Sequence, residues 1–253
     1  MDERFSIEQV AEWLRASQHT VVLTGAGIST ESGIPDFRGP QGVWTRDPEA
    51  EKRANIQYYM ANREARVAGW QSRKNSPLMS AQPNAGHLAL AELERKSKLQ
   101  LLVTQNVDGL HLKAGNSLAR LVEIHGTVRD FVCMGCGERG AIERVMARVE
   151  AGEEDPPCRT CGGILKTATI SFGQSLVYED LERSQVAASS SDVFLAIGTS
   201  LTVTPAAYLP RYALQNGARL AIINAEETPF DQAADVILRG QIGEVLPAMV
   251  ALV

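Results

Sequence analysis

Cysteine is scarce in this 253-residue chain: there are four, all between positions 133 and 161 and spaced as two pairs. That pattern argues against the dense crosslinking of a secreted disulfide scaffold and favours a metal site. Also missing is any apolar run approaching the ~18 residues of a membrane-spanning helix. The first ten residues, MDERFSIEQV, lack the apolar stretch of a signal peptide, so a cytoplasmic location is expected. Basic residues are in deficit: 25 Lys and Arg against 30 Asp and Glu leave a net charge of −5, far from the profile of a protein that grips nucleic acid by its phosphates. Internal repeats, low-complexity tracts and linkers are absent as well. What the chain does have is 44% apolar residues, enough for one large domain or a large and a small one.

Short runs rich in Val, Ile and Leu occur at 20–23, 101–104, 121–124, 193–197, 220–223 and 236–238. Between most of them lie segments of helical period, at 7–16, 85–95, 205–215 and 242–252. This alternation predicts an α/β fold, a doubly wound Rossmann-like parallel sheet buried under helices. Thr204-Pro205 reads as the cap and first turn of one helix, and Gly217 suits its end. Two stretches break the alternation. Residues 125–175 hold both cysteine pairs and the acidic segment 150–157, which reads as a small metal-held insertion. Residues 36–82 carry turn signals, a polar helical stretch near 57–71 and no convincing strand, and read as a second, mobile insertion.

The first apolar run leads directly into Gly25-Ala26-Gly27-Ile28-Ser29. Glycines there would let the backbone approach a pyrophosphate, with free N–H groups of a following helix facing it; a tight structural turn is the alternative reading. A hydride-transferring dinucleotide fold places an acidic ribose ligand about 20 residues later, at the end of a second strand. Here Ser32-Gly33-Ile34-Pro35-Asp36-Phe37-Arg38-Gly39 arrives much sooner, which weakens the case for a zinc-bearing dehydrogenase. Four more runs are followed by Gln105-Asn106-Val107-Asp108, by His125-Gly126, by Gly198-Thr199-Ser200 and by Asn224-Ala225-Glu226. Singly, each is an ordinary capped turn or strand end. Together they fall at the carboxyl ends of strands, where open α/β sheets bind ligands, and so line one crevice. His125 is the general-base candidate, because imidazole titrates near neutral pH. His19, His87 and His111, near a helix end, in a helix and in a loop, read as structural.

Cys133-Met134-Gly135-Cys136 and Cys158-Arg159-Thr160-Cys161 are paired CxxC knuckles. Four thiolates complete a tetrahedron and leave no position open for substrate, so one structural zinc is expected; two redox pairs are the lesser alternative.

In this order and spacing the motifs resemble those of the sirtuin family over nearly the whole chain. The resemblance implies an NAD-consuming protein lysine deacylase, a transferase-type deacetylase. It implies a Rossmann-like NAD-binding domain from 1–35, 83–124 and 176–253, a cofactor loop and helical insertion at 36–82, and a zinc-binding domain at 125–175. Acyl-lysine and NAD would meet between them. By matching motifs, Gly25, Ala26, Gly27 and Ser29 would border the NAD phosphates, with Asp36, Phe37 and Arg38 in the cofactor loop. Gln105 and Asn106 would face the nicotinamide ribose, Asn106 with a catalytic share, while Ile34 and Asp108 would hold the carboxamide. Gly198, Thr199 and Ser200 would lie near phosphate or ribose, and Asn224 near the adenosine ribose. The implied chemistry begins with attack of the acyl oxygen on the ribose carbon bearing nicotinamide. It ends with the acyl group on the sugar and lysine free, His125 acting as base.

Ile170, Ser171, Phe172 and Gly173 would pair with the substrate backbone. Gln174 comes after them where the family often has glutamate, which bears on substrate choice more than on activity. Members that prefer succinyl-lysine clamp its carboxylate with a Tyr-x-x-Arg pair. The best match here, Tyr59-Met60-Ala61-Asn62, puts Tyr59 at the acyl group but ends in a neutral residue, with Arg63 one position late and Arg66 as a substitute. Acetyl or another neutral acyl group is therefore expected. The same pocket would also serve mono-ADP-ribosyl transfer, and a non-catalytic NAD-sensing module is a third reading, weakened by the intact Asn106, Asp108 and His125. Acyl-lysine proteins and NAD are the expected partners of a monomer that binds neither nucleic acid nor membrane.

Overall fold

The computed structural model describes residues 3–253 apart from 38, 40, 41 and 75. Its strands, in chain order, are β1 (Thr20–Thr24), β2 (Leu101–Thr104), β3 (Leu121–Glu123), β4 (Gly126–Cys133), β5 (Arg139–Ala141), β6 (Leu165–Thr169), β7 (Val193–Ile197), β8 (Arg219–Ile223) and β9 (Val236–Leu238). Six of them form a parallel sheet in the order β3-β2-β1-β7-β8-β9. Alternation sends Val22, Leu102, Leu195 and Ala221 to one face, against Val10, Leu14, Leu90 and Leu246 of the helices Glu3–Ala16, Ala85–Arg95 and Ile242–Ala251. Val21, Leu23, Val103, Phe194 and Leu220 face the other way, onto Ala188, Leu209 and Ala213. Both faces are buried, which is why these strands read as continuous apolar runs. Among the described residues no helix is long and apolar enough to cross a membrane.

The segment 205–215 departs from expectation. It is a 3-10 turn (Ala206–Tyr208) and then the helix Leu209–Gln215, and neither has a side-chain cap, so Thr204 does not serve as one. Pro210 accounts for the restart: lacking an N–H, it fits only a first turn. Gly217 does end the helix, at φ +83 with its N–H on the Leu214 carbonyl.

Strand order reverses between β1 and β7, the switch point at which open α/β sheets bind ligands in a crevice outside the carboxyl ends of their strands. There the chain after β1 lies on the chain after β7. Gly25 N–H donates to Ile197 O (3.0 Å) and Gly27 N–H to Gly198 O (2.9 Å). A Cβ on Gly27 would come within 2.7 Å of the Gly198 backbone. These glycines are thus required by backbone contact between the two loops, the reason for glycine that a tight structural turn would also give. The chain then winds into a 3-10 helix, Ala26–Ser32.

The small sheet, β5-β4-β6, is antiparallel. Its longest strand, GTVRDFVC, carries a β-branched and aromatic run that the charges inside it mask. Beneath it Trp70 of the helix Arg63–Lys74 is 2% exposed among Phe131, Ile142, Val145 and Leu165. Arg66 from the same helix pairs with Asp155 (2.9 Å) and donates to the carbonyls of Tyr59 and Met60. The helix Arg63–Lys74, inside the insertion read from sequence as mobile, is therefore packed on the small module through a shared core and a buried ion pair. Breaking such a pair leaves an uncompensated charge.

Candidate active site

His125 lies between the two sheets, two residues past β3 and directly before β4. Its Nδ1 is 3.0 Å from the Gln105 carbonyl oxygen. A carbonyl can only accept, so Nδ1 carries the proton and Nε2 keeps its lone pair. Burial pushes the imidazole below its ordinary 6.5, partly offset by that carbonyl, and His125 is neutral at pH 7. The backbone beside it is held closely: Ile170 N–H donates to His125 O at 2.7 Å, and a Cβ on Gly126 (φ +77) would lie 2.1 Å from Ala168 O. Only glycine fits there.

Opposite His125, the loop after β2 is fixed by side chains buried behind it. Asn106 Nδ2 donates to Gly25 O (3.0 Å) and Ser29 Oγ (3.1 Å), which leaves Oδ1 without a protein donor among the described residues. Ser29 donates to Asp108 Oδ2 at 2.8 Å, and Asp108 Oδ1 accepts from Leu110 N–H at 2.9 Å. Two histidines that the sequence marked only as structural support this layer. His87 Nδ1 accepts from Asn84 N–H and its Nε2 lies 3.4 Å from Ser29 Oγ. His111, in the helix Leu110–Ala114 rather than a loop, contacts Thr24 Oγ1 at 3.0 Å. Because Thr24 donates onward to Thr104, His111 Nε2 must be the donor, and its Nδ1 is buried without a partner among the described residues.

The two histidines make an acid-sensitive element. Burial lowers His87 to about 4, Asp108 offsetting part of the effect, and lowers His111 well below 6.5, with His87 adding to it. Between pH 6.5 and 4 the unfolded chain takes up protons on both residues while the folded chain does not. Stability from this pair is therefore present above 6.5 and lost as pH falls, by up to about 1.4 kcal/mol per pH unit for each histidine. Denaturant unfolding at pH 7 and pH 5 is expected to give a lower midpoint at pH 5; an equal or higher midpoint would contradict this.

The remaining expected residues divide. Gln105 Nε2 donates to Thr199 Oγ1 at 2.8 Å, joining the loops after β2 and β7, while Ser200 pairs with Thr202 at 2.8 Å. Asn224 Nδ2 donates to Glu226 O at 2.8 Å, at the end of β8. Ile34 N–H donates to Ser29 O (3.3 Å), and Asp36 accepts from Gly39 N–H (2.9 Å). Phe37 is exposed at 44%, and Arg38 lies outside the described residues. Ile170, Ser171 and Gly173 lie beyond the end of β6, and Phe172 bridges to the insertion, its N–H on Ala54 O and its carbonyl on Ile56 N–H, both at 3.0 Å. The Phe172 N–H is thus already engaged within the chain, while its carbonyl keeps a second lone pair. Gln174 Oε1 accepts from Ser171 N–H at 2.9 Å, so the neutral amide keeps an acceptor that a glutamate would also offer. Tyr59 is a correction: its hydroxyl donates to Leu165 O at 2.8 Å and is committed to the joint with the small sheet, not to an acyl group.

The four cysteine sulfurs all lie within 4.8 Å of one another, with Cys133 and Cys161 at 3.5 Å and Cys136 and Cys158 at 3.8 Å. A tetrahedron with zinc–sulfur bonds of about 2.3 Å places sulfurs about 3.8 Å apart, so the set fits zinc. N–H groups of Cys136 and Gly135 point at Cys133 Sγ and hold that thiol down to about 6, favouring the thiolate a metal needs. The four cysteines can hold one zinc ion.

The Sir2 family profile matches residues 25–205. NAD-dependent protein deacetylase 2 of Streptomyces coelicolor is 53% identical over 228 residues, 90% of this chain and 95% of that protein. A Sir2 variant solved with a deacetylated p53 peptide and 3'-O-acetyl-ADP-ribose superposes with a TM-score of 0.89 at 32% identity, covering 97% of both chains. Sir2Tm bound to a propionylated peptide gives 0.85 at 31% identity, covering 97% of this chain and 96% of that one. With the family profile spanning both the crevice and the cysteine cluster, and relatives aligned along almost their full length, this chain belongs to the Sir2 family.

Proposed function

We propose that this chain removes acyl groups, acetyl foremost, from protein lysines, consuming NAD and giving nicotinamide, free lysine and O-acyl-ADP-ribose. The observation that carries the reading is the His125 imidazole, its tautomer set by the Gln105 carbonyl so that Nε2 is a free base in the crevice that also holds Asn106, Ser29 and Asp108. The residues present suit NAD: an acceptor at Asn106 Oδ1, a carboxylate held on both oxygens at Asp108, and hydroxyls at Thr199 and Ser200. Bound NAD supplies an electrophilic ribose carbon whose bond to nicotinamide breaks as the acyl oxygen attacks. Asn106 orients the ribose through Oδ1, Asp108 and Ile34 orient the carboxamide, and His125 Nε2 takes a proton from a ribose hydroxyl. The reducing cytoplasm is the compartment that keeps four unpaired cysteines available to zinc.

Incubation with NAD and a panel of acyl-lysine peptides, read by mass spectrometry, tests the reading. Nicotinamide, deacylated peptide and acyl-ADP-ribose in equal amounts are expected; ADP-ribose left on an acceptor protein would instead mean ADP-ribosyl transfer. Within the panel, neutral acyl groups should give the higher kcat/KM. Arg63 is paired with Glu154, Arg66 with Asp155, and the Tyr59 hydroxyl is committed, so none of them offers a charge-assisted clamp. A preference for succinyl-lysine would overturn this and point to Arg73, which is half-buried near Tyr59 with no carboxylate partner among the described residues.

A further inference from the structure

The crossover that carries His125 from the large sheet to the small one is bracketed by two opposite charges. Glu123 ends β3 and Arg129 lies in β4. Their side chains meet as a two-pronged pair, Nη1 to Oε1 at 2.9 Å and Nη2 to Oε2 at 2.7 Å, with the carboxylate 13% exposed and the guanidinium 37%. A fork of this kind fixes orientation as well as distance, which an ammonium could not do. Arg129 has a second neighbour. Its guanidinium lies on Gly109, the residue after Asp108, so closely that a Cβ there would stand 2.6 Å from Nη1. One residue earlier, Val128 N–H donates to Val107 O at 3.0 Å. The same short piece of β4 therefore touches both the loop bearing Asp108 and the turn bearing His125. Glu123 is also near enough to Asp108 for the two to repel: burial raises the Glu123 carboxyl, Arg129 lowers it, and Asp108 raises it again. Arg129 is the cation that offsets this repulsion at Glu123.

Resting on the deacylase reading above, we propose that Glu123 and Arg129 are positioning residues for the reaction: their ion pair clamps the His125 crossover against the Asp108-Gly109 loop and so holds the base at its working distance from the ribose. Neither residue has to touch substrate for this. Displacing a base by about 1 Å can cost up to about 100-fold, so a loss of about 10- to 100-fold in deacylation turnover is expected for Arg129→Ala and for Glu123→Gln. Arg129→Lys keeps the charge without the fork and should fall between these and the native protein.

Nicotinamide exchange separates positioning from mere support of the fold. Exchange needs the crevice and the acyl-lysine but not proton removal by His125, so it should persist in the variants while deacylation falls. The double variant should be no worse than either single one, since the two residues act as a unit. Zinc content and Tm are measured alongside. Exchange and deacylation falling in proportion with Tm would assign the pair a structural role and overturn the proposal, as would native turnover in both single variants. Native protein without deacylation would refute the functional reading itself, a result distinct from either.

Discussion

Substitution of His125 by alanine is expected to lower deacylation turnover by about 10²- to 10⁴-fold, the usual contribution of a positioned general base, while changing NAD affinity little. The expectation rests on geometry. Nδ1 is held by a backbone carbonyl that no side-chain change nearby can remove, so the native protein presents Nε2 permanently as the acceptor. The imidazole lies between the sheets, with its main chain tied to Ile170. Because burial lowers its titration below 6.5, the basic form predominates throughout neutral pH, and the rate should decline only on acidification below that point. The alanine variant should lose this acidic limb as well as the rate. Nicotinamide exchange should survive, since the ribose–nicotinamide bond breaks before His125 is needed. Near-native turnover under conditions where chemistry limits the rate would show that another group takes the proton.

Loss of zinc should have the larger structural effect. Cys133 and Cys158 are themselves part of the small core, with Phe131, Val145, Leu165 and Trp70. A unit of this size buries too little to hold itself closed, and structural zinc contributes about 10–16 kcal/mol, as much as or more than the ~5–15 kcal/mol that stabilises a whole domain. Changing any of Cys133, Cys136, Cys158 or Cys161 to alanine is expected to release the metal and to unfold β4 to β6 locally. Activity should disappear with it, although no cysteine touches the crevice, because Gly126 and Ile170, the neighbours that hold His125, extend from β4 and β6. Metal analysis gives the first readout, one zinc per native chain and none per variant, and hydrogen exchange across 125–175 gives the second. Zinc-free protein with full activity would refute both.

The strands of the large sheet were legible because each is a local property. A run such as VFLAI buries both its faces, and no polar residue can enter it without losing water. Helix Ala85–Arg95 was legible for the same reason, from the period of one apolar stripe. The cysteine pairs carry their own geometry, since two CxxC turns have few arrangements other than a tetrahedron. Strand β4 was harder: Arg129 and Asp130 interrupt its pattern, and Arg129 is there for a partner that the alternation of a strand does not report. The break in 205–215 lay in view at Pro210, but the apolar period ran through it.

What the sequence by itself determined is therefore the α/β class, the six strands of the large sheet, the tetrahedral cysteine set and the polar residues at strand ends, all encoded within a few neighbouring positions. Only the tertiary structure decided which atoms of those residues are free. The Gln105 carbonyl selects the His125 tautomer from 20 residues away, and Leu165, 106 residues from Tyr59, takes the hydroxyl expected at an acyl group. It also decided that Gly27 is used against Gly198, and that the helix Arg63–Lys74 shares a core with the cysteine module through Trp70. The physical reason is the range of the forces. Burial patterns repeat along the chain and can be read from it, whereas a hydrogen bond depends on where two distant atoms finally meet, which is settled by packing.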